Sequence, residues 1–194
     1  MREALFIDLT DDALSLVRLA ETHREGLRAA CAADTAIWQI YPIRYDGEFF
    51  DRSFDALVGH ETRMPYAIVE DGIVIGMTAW LRPDWTAQTV EIGNSYICPD
   101  ARGTGLNGRI KRLMLDHAFA AGIRRVEFRI DERNGRSQAA TRKLGAVKEG
   151  VLRAERVTWT GHIRDTGLFS LLADEWQRPA PSAMVQASTA KDAP

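Results

Sequence analysis

Residues 89–122 read TVEIGNSYICPDARGTGLNGRIKRLMLDHAFAAG and join a strand pattern to a helix pattern through a glycine-rich turn. The first part alternates in the two-residue period of a strand: one predicted face carries Val90, Ile92, Asn94 and Tyr96, and the other carries Glu91, Gly93, Ser95 and Ile97. After Pro99 the period changes, and apolar residues recur at helical spacing from Leu106 to Ala121, just before Gly122. The stretch therefore predicts a strand, a tight turn and a helix.

Gly93 stands in the middle of the predicted strand, where it offers no side chain for packing. A glycine at such a position often marks a β-bulge or a place where another backbone or a ligand comes close. A plain packing glycine is the alternative, and the pattern leaves both open.

The segments on either side supply the remaining predicted elements. Asp71-Gly72 separates two β-branched runs, YAIVE and IVIGMTAWL, and is the dipeptide that a two-residue hairpin turn prefers. Residues 2–19 read as two short extended pieces, ALFIDL and LSLVRL, split by Asp11 and Asp12. The other predicted ranges are helices from Thr22 to about Ala33, from Phe49 to Val58 and from Asn134 to Leu144, and strands over 124–130, 146–158 and 162–172.

This order of elements predicts an α/β fold of the α+β type. Its central sheet is mixed and mostly antiparallel, with roughly six to eight strands, helices on both faces and one parallel pair of strands. The helix of residues 104–121 makes the crossover between that pair. We expect residues 1–177 to form a single domain. Residues 178–194 have little apolar bulk and three prolines, so we expect a disordered C-terminal tail.

The composition is that of a well-packed globule, with 194 residues, 45% apolar and 27% charged. A net charge of −2 argues against a general nucleic-acid binder, although residues 98–148 carry 12 basic against 5 acidic side chains and suit an anionic ligand. No apolar stretch approaches the roughly 18 residues of a membrane-spanning helix, and the N-terminus lacks the order of a signal peptide. Cys31 and Cys98 support neither a disulfide framework nor a zinc site. We therefore expect a cytoplasmic protein that binds no metal.

Residues 96–107, YICPDARGTGLN, lead from the predicted strand into the predicted helix. A glycine-rich turn at a helix start directs several unpaired N–H groups at one spot, where the helix dipole also favours a phosphate. The alternative to a phosphate site is that the two glycines only allow a tight connection between the strand and the helix. A P-loop is excluded because no lysine follows at the required place. Gly103, Gly105 and Gly108 do form the G-x-G-x-x-G of dinucleotide-binding folds, but a single further crossover is too little for a doubly wound sheet.

Over residues 14–176 the sequence resembles the GNAT superfamily of acetyl-CoA-dependent N-acetyltransferases. The resemblance rests on the turn, on Asn134 and Ser137 in N-x-x-S, on K-L-G-A at 143–146, on E-G at 149–150 and on R-D-T at 164–166. Within the superfamily it is similar to the Rim-type branch, which acetylates N-terminal amines of ribosomal proteins. The signature [QR]-x-x-G-x-[GA] is met by Arg102 and Gly105, whereas Asn107 stands where a small residue is usual.

The resemblance implies acetyl-CoA as the co-substrate and two parallel strands that splay apart to receive it. The pantetheine arm would lie along Tyr96, Ile97 and Cys98, where the N–H of Ile97 or Cys98 would polarise the thioester carbonyl. Asn134 would cap the helix that follows it or bind the pantetheine amide. Arg142 and Lys143 would reach the adenosine phosphates or form a solvated face. The pyrophosphate would be held by backbone N–H groups of Arg102, Gly103, Thr104, Gly105, Leu106 and Asn107.

The resemblance also implies residues for the transfer itself. Ser137 falls where related enzymes place a hydroxyl near the leaving sulfur, and a solvent-facing serine is the alternative. Glu91 is the first candidate for a general base, ahead of Glu155, and its alternative is a structural sheet carboxylate. The imidazoles of His23, His60, His117 and His162 are further candidates. The acceptor pocket would be shaped by aromatic residues of two loops, namely Trp38, Tyr41 and Trp159.

We therefore expect an N-acetyltransferase that moves the acetyl group directly to a primary amine, either at a protein or peptide N-terminus or on a small molecule. An α-amine is roughly 10% neutral at pH 7, whereas a lysine amine is neutral about once in 2,500, so a weakly marked base favours α-amines. A CoA-binding sensor without turnover and a nicotinamide-dinucleotide enzyme are the alternatives. The expected partners are acetyl-CoA and the amine, without nucleic acid or membrane, and the aromatic loop permits a homodimer.

Overall fold

A computed structural model of the protein describes residues 2–176, which are built around one eight-stranded sheet. The strands are β1 (Leu9–Asp11), β2 (Leu14–Arg18), β3 (Met64–Glu70), β4 (Ile73–Asp84), β5 (Thr89–Ile97), β6 (Arg125–Asp131), β7 (Val147–Val157) and β8 (Ile163–Leu172). The helices are α1 (Arg2–Leu5), α2 (Arg24–Ala32), α3 (Phe50–Val58), α4 (Leu106–Ala120), α5 (Gly135–Lys143) and α6 (Ala173–Trp176). The predicted tail of residues 178–194 lies outside the described residues.

The sheet confirms the predicted fold class. Its strand order is β1-β2-β3-β4-β5-β6-β8-β7, and every neighbouring pair is antiparallel except β5 and β6. The hairpin turn between β3 and β4 falls at the predicted dipeptide, where Asp71 and Gly72 have φ values of +50° and +79°. Positive φ at both central residues is what the preferred two-residue hairpin turn requires.

The first residues of the chain do not follow the prediction of an extended piece. Residues 2–5 form α1, and the sheet begins only at Leu9. Leu5 is fully buried, and its carbonyl accepts a hydrogen bond from the Tyr66 hydroxyl at 3.3 Å. Tertiary contacts to the core therefore decide this segment. The turn between β1 and β2 does lie at the predicted aspartates, with Asp12 at a φ of +57°.

Helices pack on both faces of the sheet. On one face, α4 contributes buried Leu106, Ile110 and Met114 to the larger apolar core. On the other face, α2 and α3 pack together with Trp38 against Tyr96 and its neighbours. We call these the α4 face and the α2/α3 face. Within residues 2–176, no helix combines the length and the apolar character that a membrane crossing needs.

A β-bulge in β5 changes which of its side chains share a face. Against β4, Met77 pairs with Tyr96 and Ala79 with Gly93, so β5 holds one extra residue, and Asn94 has a φ of +49°. One extra residue inverts the alternation beyond it, so the predicted facing of residues 94–97 is wrong. The α4 face carries Val90, Ile92, Ser95 and Ile97, and the α2/α3 face carries Glu91, Gly93, Asn94 and Tyr96.

The parallel strands β5 and β6 pair only where they begin. Their register ends with Glu91 beside Glu127, although β5 continues to Ile97 and β6 continues to Asp131. Beyond Glu91 the two strands part, and each has an edge without a partner strand. We call the space between them the splay.

Candidate active site

The turn of residues 102–107, here called the glycine turn, leads from the end of β5 into α4. Gly103 and Gly105 have φ values of +82° and +88°, which favour glycine, and Gly105 is the N-cap of α4. The N–H of Leu106 donates to the Thr104 hydroxyl at 3.3 Å. Other N–H groups of the turn have no acceptor within residues 2–176, and these belong to Gly103, Thr104, Gly105 and Asn107.

The backbone N–H and the guanidinium of Arg102 already have partners within the protein. Its N–H donates to the carbonyl of Pro99 at 3.0 Å, and its guanidinium donates from Nε to the carbonyl of Ile97 at 2.8 Å. The same guanidinium forms an ion pair with Asp34 at 2.5 Å. Arg102 therefore ties the glycine turn to the end of β5. Of the six amides expected to hold a pyrophosphate, those of Arg102 and Leu106 already have acceptors.

The end of β5 directs one backbone N–H into the splay. The N–H of Cys98 donates to the carbonyl of Ile75 at 2.8 Å, so it is bound to β4 and cannot polarise a thioester. That bond makes Gly76 and Ile97 a non-hydrogen-bonded pair, whose N–H groups point away from the partner strand. The N–H of Ile97 therefore faces the splay.

Side chains take the place of the missing strand along this edge of β5. The Tyr41 hydroxyl donates to the carbonyl of Ser95 at 2.6 Å, as Arg102 does to that of Ile97. Burial raises the pKa of Tyr41 to about 12, so the hydroxyl stays protonated and remains a donor. Because these carbonyls are satisfied without β6, the splay is a stable part of the fold.

Across the splay, α5 begins with the predicted N-x-x-S residues. Asn134 is the N-cap of α5, and its Oδ1 accepts the N–H of Ser137 at 3.0 Å. The Ser137 hydroxyl has no hydrogen-bond partner within residues 2–176. Arg142 lies over the ring of Phe169 at 5.2 Å, and Lys143 is exposed.

Glu91 occupies the last paired position of β5, directly before the splay. Its side chain is 7% exposed and lies 3.0 Å from Arg82 Nε and 3.7 Å from Arg129 Nε. Neither contact has hydrogen-bond geometry, so Oε2 has no hydrogen-bond partner in the described chain. Burial raises the pKa of the Glu91 carboxyl above its ordinary value, although Arg82 and Arg129 oppose this effect.

Gly93 explains how the Glu91 carboxylate fits beside the bulge. A Cβ at Gly93 would lie 2.9 Å from Glu91 Oε1 and closer still to the side chain of Leu81. The two interpretations of this glycine therefore both apply, because the bulge is next to it and the packing leaves no room for a side chain.

A pocket of about 270 Å³ opens beside Glu91 on the α2/α3 face. Its lining residues come from the loop before β3 and from β4, β5 and β7: His60, Thr62, Arg63, Leu81, Arg82, Glu91 and Arg156. Glu155, the other acidic candidate, is hydrogen-bonded to Arg156 at 2.5 and 2.7 Å, and this bonding lowers its pKa to about 2. A carboxylate held so firmly in its charged form is a poor base, which leaves Glu91 as the better candidate.

The aromatic candidates lie together, but not in that pocket. Trp38 is fully buried, stacks on Tyr96 at 4.8 Å and donates to the carbonyl of Cys31. It presents no surface to an acceptor, so its role is core packing. Trp159 is 39% exposed and donates to the carbonyl of Trp38 at 2.9 Å, which brings the two predicted loops into contact.

Several residues of the site were missed in the sequence. Gly76, Arg63 and Arg82 carry no motif, and their importance depends on the strands that lie opposite them. Lys111 did leave a signal, because it precedes Leu115 and Ala118 at helical spacing and so begins an apolar stripe of α4. It is buried, and its ammonium lies 2.5 Å from Ser95 Oγ and 3.2 Å from Thr78 Oγ1.

Replacing Lys111 with methionine is expected to stabilise the protein near pH 7. Burial lowers the pKa of Lys111 from 10.5 to about 7, so the folded chain binds fewer protons than the unfolded chain between these values. The free-energy cost of burying the charged lysine is fully present below pH 7 and decreases as the pH rises towards 10.5. We expect a gain of about 2 kcal/mol at pH 7 in urea unfolding, and a much smaller gain near pH 10. A gain that does not change with pH would contradict the assignment.

The fold and the site together define a class of enzyme. Two parted parallel strands, one of which offers an N–H to the gap, can receive an extended thioester arm as an added strand. Free N–H groups at the start of α4 can receive the diphosphate at the other end of the same molecule. The protein is an acetyl-CoA-dependent acetyltransferase.

The chain belongs to the GNAT acetyltransferases, since the family model described as "Acetyltransferase (GNAT) domain" matches residues 13–147. A probable acetyltransferase (GNAT family) from Chromobacterium violaceum is 30% identical, with 89% of each chain covered and a TM-score of 0.82. A GCN5-related N-acetyltransferase from Brucella melitensis is 24% identical over 88% of this chain and 80% of its own, with a TM-score of 0.83. RimJ from Mycobacterium smegmatis, solved with CoA-disulfide, is 20% identical over 88% of each chain, with a TM-score of 0.74. No curated protein matches the sequence.

Proposed function

We propose that the protein transfers the acetyl group of acetyl-CoA directly to the primary amine of an acceptor bound in the pocket beside Glu91. The acceptor amine is an α-amine, on a small molecule or at a peptide N-terminus as in the Rim-type branch. The observation that carries this proposal is the place of Glu91, a buried carboxylate at the point where the strands part, whose Oε2 accepts no hydrogen bond within residues 2–176 although Arg82 and Arg129 lie within ion-pair distance.

The amides of Gly103, Thr104, Gly105 and Asn107 bind the pyrophosphate of acetyl-CoA. The pantetheine arm lies along Tyr96 to Cys98, and the N–H of Ile97 donates to the thioester carbonyl. A donor placed at a developing oxyanion is typically worth about 2.7–4 kcal/mol. The Asn134 side-chain N–H₂ binds the pantetheine amide, while Arg142 and Lys143 lie near the adenosine phosphates.

In the transfer step, the neutral amine attacks the thioester carbon, the C–N bond forms, and the C–S bond breaks. Glu91 Oε2 accepts the proton that the amine loses, and the Ser137 hydroxyl donates a hydrogen bond to the departing sulfur. An amine of pKa near 8 needs little help to lose its first proton, so positioning accounts for much of the rate. No acetyl-enzyme forms on Cys31, since burial raises the pKa of its thiol and keeps it protonated.

The function is tested by mixing the protein with acetyl-CoA and a panel of amines and measuring release of free CoA thiol together with acetylated product. The proposal requires product from at least one α-amine, in equal amount with the thiol. Tight binding of acetyl-CoA without transfer to any amine would overturn it.

Replacing Gly105 with alanine is expected to raise the Kd of acetyl-CoA about tenfold. The left-handed φ of +88° strains a side chain, and relief of that strain turns the amides away from the pyrophosphate. Gly122→Ala is the matched control, because Gly122 has the same φ at the other end of α4 and an equally open surrounding. Both variants should lose similar stability, and calorimetry should find weaker binding in Gly105→Ala alone. Equal Kd values for the two would exclude the glycine turn as the pyrophosphate site.

A further inference from the structure

The pocket beside Glu91 holds more positive than negative charge. Its lining includes three arginines, Arg63, Arg82 and Arg156, but one carboxylate, Glu91. Adding the charged neighbours Arg129 and Glu155, together with Glu127, which pairs with Arg129 at 3.3 Å, leaves four guanidinium groups against three carboxylates. An excess of positive charge is unusual for a site that has to admit an amine, which is itself a cation in most of its population.

The arginines of the pocket differ in how they are neutralised. Arg82 lies against Glu91 at 3.0 Å, and Arg156 lies against Glu155 at 2.5 Å. Arg63 has no ion pair and no side-chain hydrogen bond to any part of residues 2–176. It is partly buried in the loop before β3, and its backbone N–H is held by the carbonyl of His60 at 3.1 Å. The loop is therefore anchored while the guanidinium is left without a counter-ion.

A partly buried guanidinium without a counter-ion is a binding group for an oxyanion, because its planar fork matches a carboxylate or a phosphate. Glu91 lines the same pocket and attracts the ammonium form of an amine. We propose that the acceptor is a small amine that also carries an oxyanion, a carboxylate or a phosphate, and that Arg63 binds this oxyanion while Glu91 receives the amine. This inference rests on the proposed function of the pocket.

The size of the pocket agrees with a small acceptor. Its volume of about 270 Å³ lies just below the roughly 300–1,000 Å³ that is typical of sites for drug-sized ligands. Polyamines are poor candidates, since each further ammonium group would face the excess of arginines. Amino acids and amines with a phosphate group fit both the charge and the size.

The test compares acceptors with and without the anion, and kcat/KM is expressed per neutral amine because the anion also changes the pKa of the amine. Leucine is compared with leucinamide, and O-phosphoserine amide with serine amide, so that among α-amines one pair probes a carboxylate and the other a phosphate; spermidine is included as a polycation. For at least one pair we expect kcat/KM to be tenfold or more higher for the anionic member. Arg63→Met should abolish that preference by raising KM for the anionic acceptor, with little change in kcat or in the Kd of acetyl-CoA. Arg63→Lys should restore part of it.

Arg52→Met is the matched control, because Arg52 is exposed on α3. This variant should leave kcat/KM unchanged for every acceptor. If the neutral amines or spermidine are acetylated as well as the anionic acceptors, the inference is overturned and the proposed transfer stands. The inference is also overturned, and the proposed transfer still stands, if Arg63→Met lowers kcat/KM by the same factor for every acceptor. If no amine of the panel is acetylated although acetyl-CoA binds, the proposed function fails, and the inference fails with it.

Discussion

Replacing Glu91 with glutamine is expected to lower kcat about 100-fold or more while leaving the Kd of acetyl-CoA unchanged. The amide keeps the shape of the carboxyl group but cannot accept the proton, and general base catalysis is typically worth at least about 100-fold. Glutamine removes a buried charge but also the counter-ion of Arg82 and Arg129, so urea unfolding is measured alongside to show that the variant is folded. Steady-state kinetics with calorimetry of acetyl-CoA binding measure the two quantities separately.

The pH profile gives a second test of Glu91. A base must be ionised to act, and burial raises the pKa of this carboxyl above 4.5, so kcat should fall as the pH drops through that raised value. The Glu91→Gln variant should lose this acidic limb. Glu155→Gln is the comparison, and we expect it to lose less than about tenfold, because the pKa of Glu155 is already lowered to about 2 by Arg156. A larger loss in Glu155→Gln than in Glu91→Gln would assign the base to Glu155 instead.

The second large effect is expected at Gly76, a residue that no motif marks. A Cβ at this position would collide with the carbonyl oxygen of Tyr96 and lie 3.0 Å from the Cα of Ile97. Gly76→Ala must therefore push β4 and β5 apart at the place where the N–H of Ile97 faces the splay. We expect a loss of about 1–3 kcal/mol in the free energy of unfolding and a fall in kcat of tenfold or more.

Gly150→Ala provides the control for this prediction. Gly150 also lies within a strand, but a Cβ there would meet nothing within 4 Å. Alanine should be neutral or slightly stabilising at that position, because glycine costs conformational entropy in a strand. Urea unfolding and acetyl transfer should separate the two variants clearly. If Gly76→Ala kept full stability and full kcat, the close approach of the two strands would not matter to the site.

Part of the local structure around the candidate site was predicted from the sequence because it depends on neighbouring residues. The glycine turn, the cap at Asn134 and the start of α4 are local structures, and the residue types at these positions are the ones that turns and caps require. The hairpin at Asp71-Gly72 was predicted for the same reason. Local chemistry of this kind does not need a partner strand.

The bulge in β5 could not be predicted from local sequence alone. The alternation of residues 89–97 predicts a regular strand, and Gly93 hints at an irregularity, but the extra residue is defined only by pairing with β4. Because the bulge inverts the facing beyond it, Tyr96 packs against Trp38 and Ser95 meets Lys111. The same pairing binds the N–H of Cys98 to β4 and leaves that of Ile97 for the splay.

By itself, the amino-acid sequence determined the order of helices and strands from β1 to β8, the mixed sheet and a glycine-rich turn at the start of α4, since each follows from local periodicity and backbone preference. The tertiary structure alone decided that Glu91 Oε2 accepts no hydrogen bond within residues 2–176, which amide faces the splay and that Trp38 belongs to the core. It also brought Arg63, Arg82, Glu91 and Arg156 into one pocket. These residues are distant in sequence, and their charges and burial depend on which strands lie side by side.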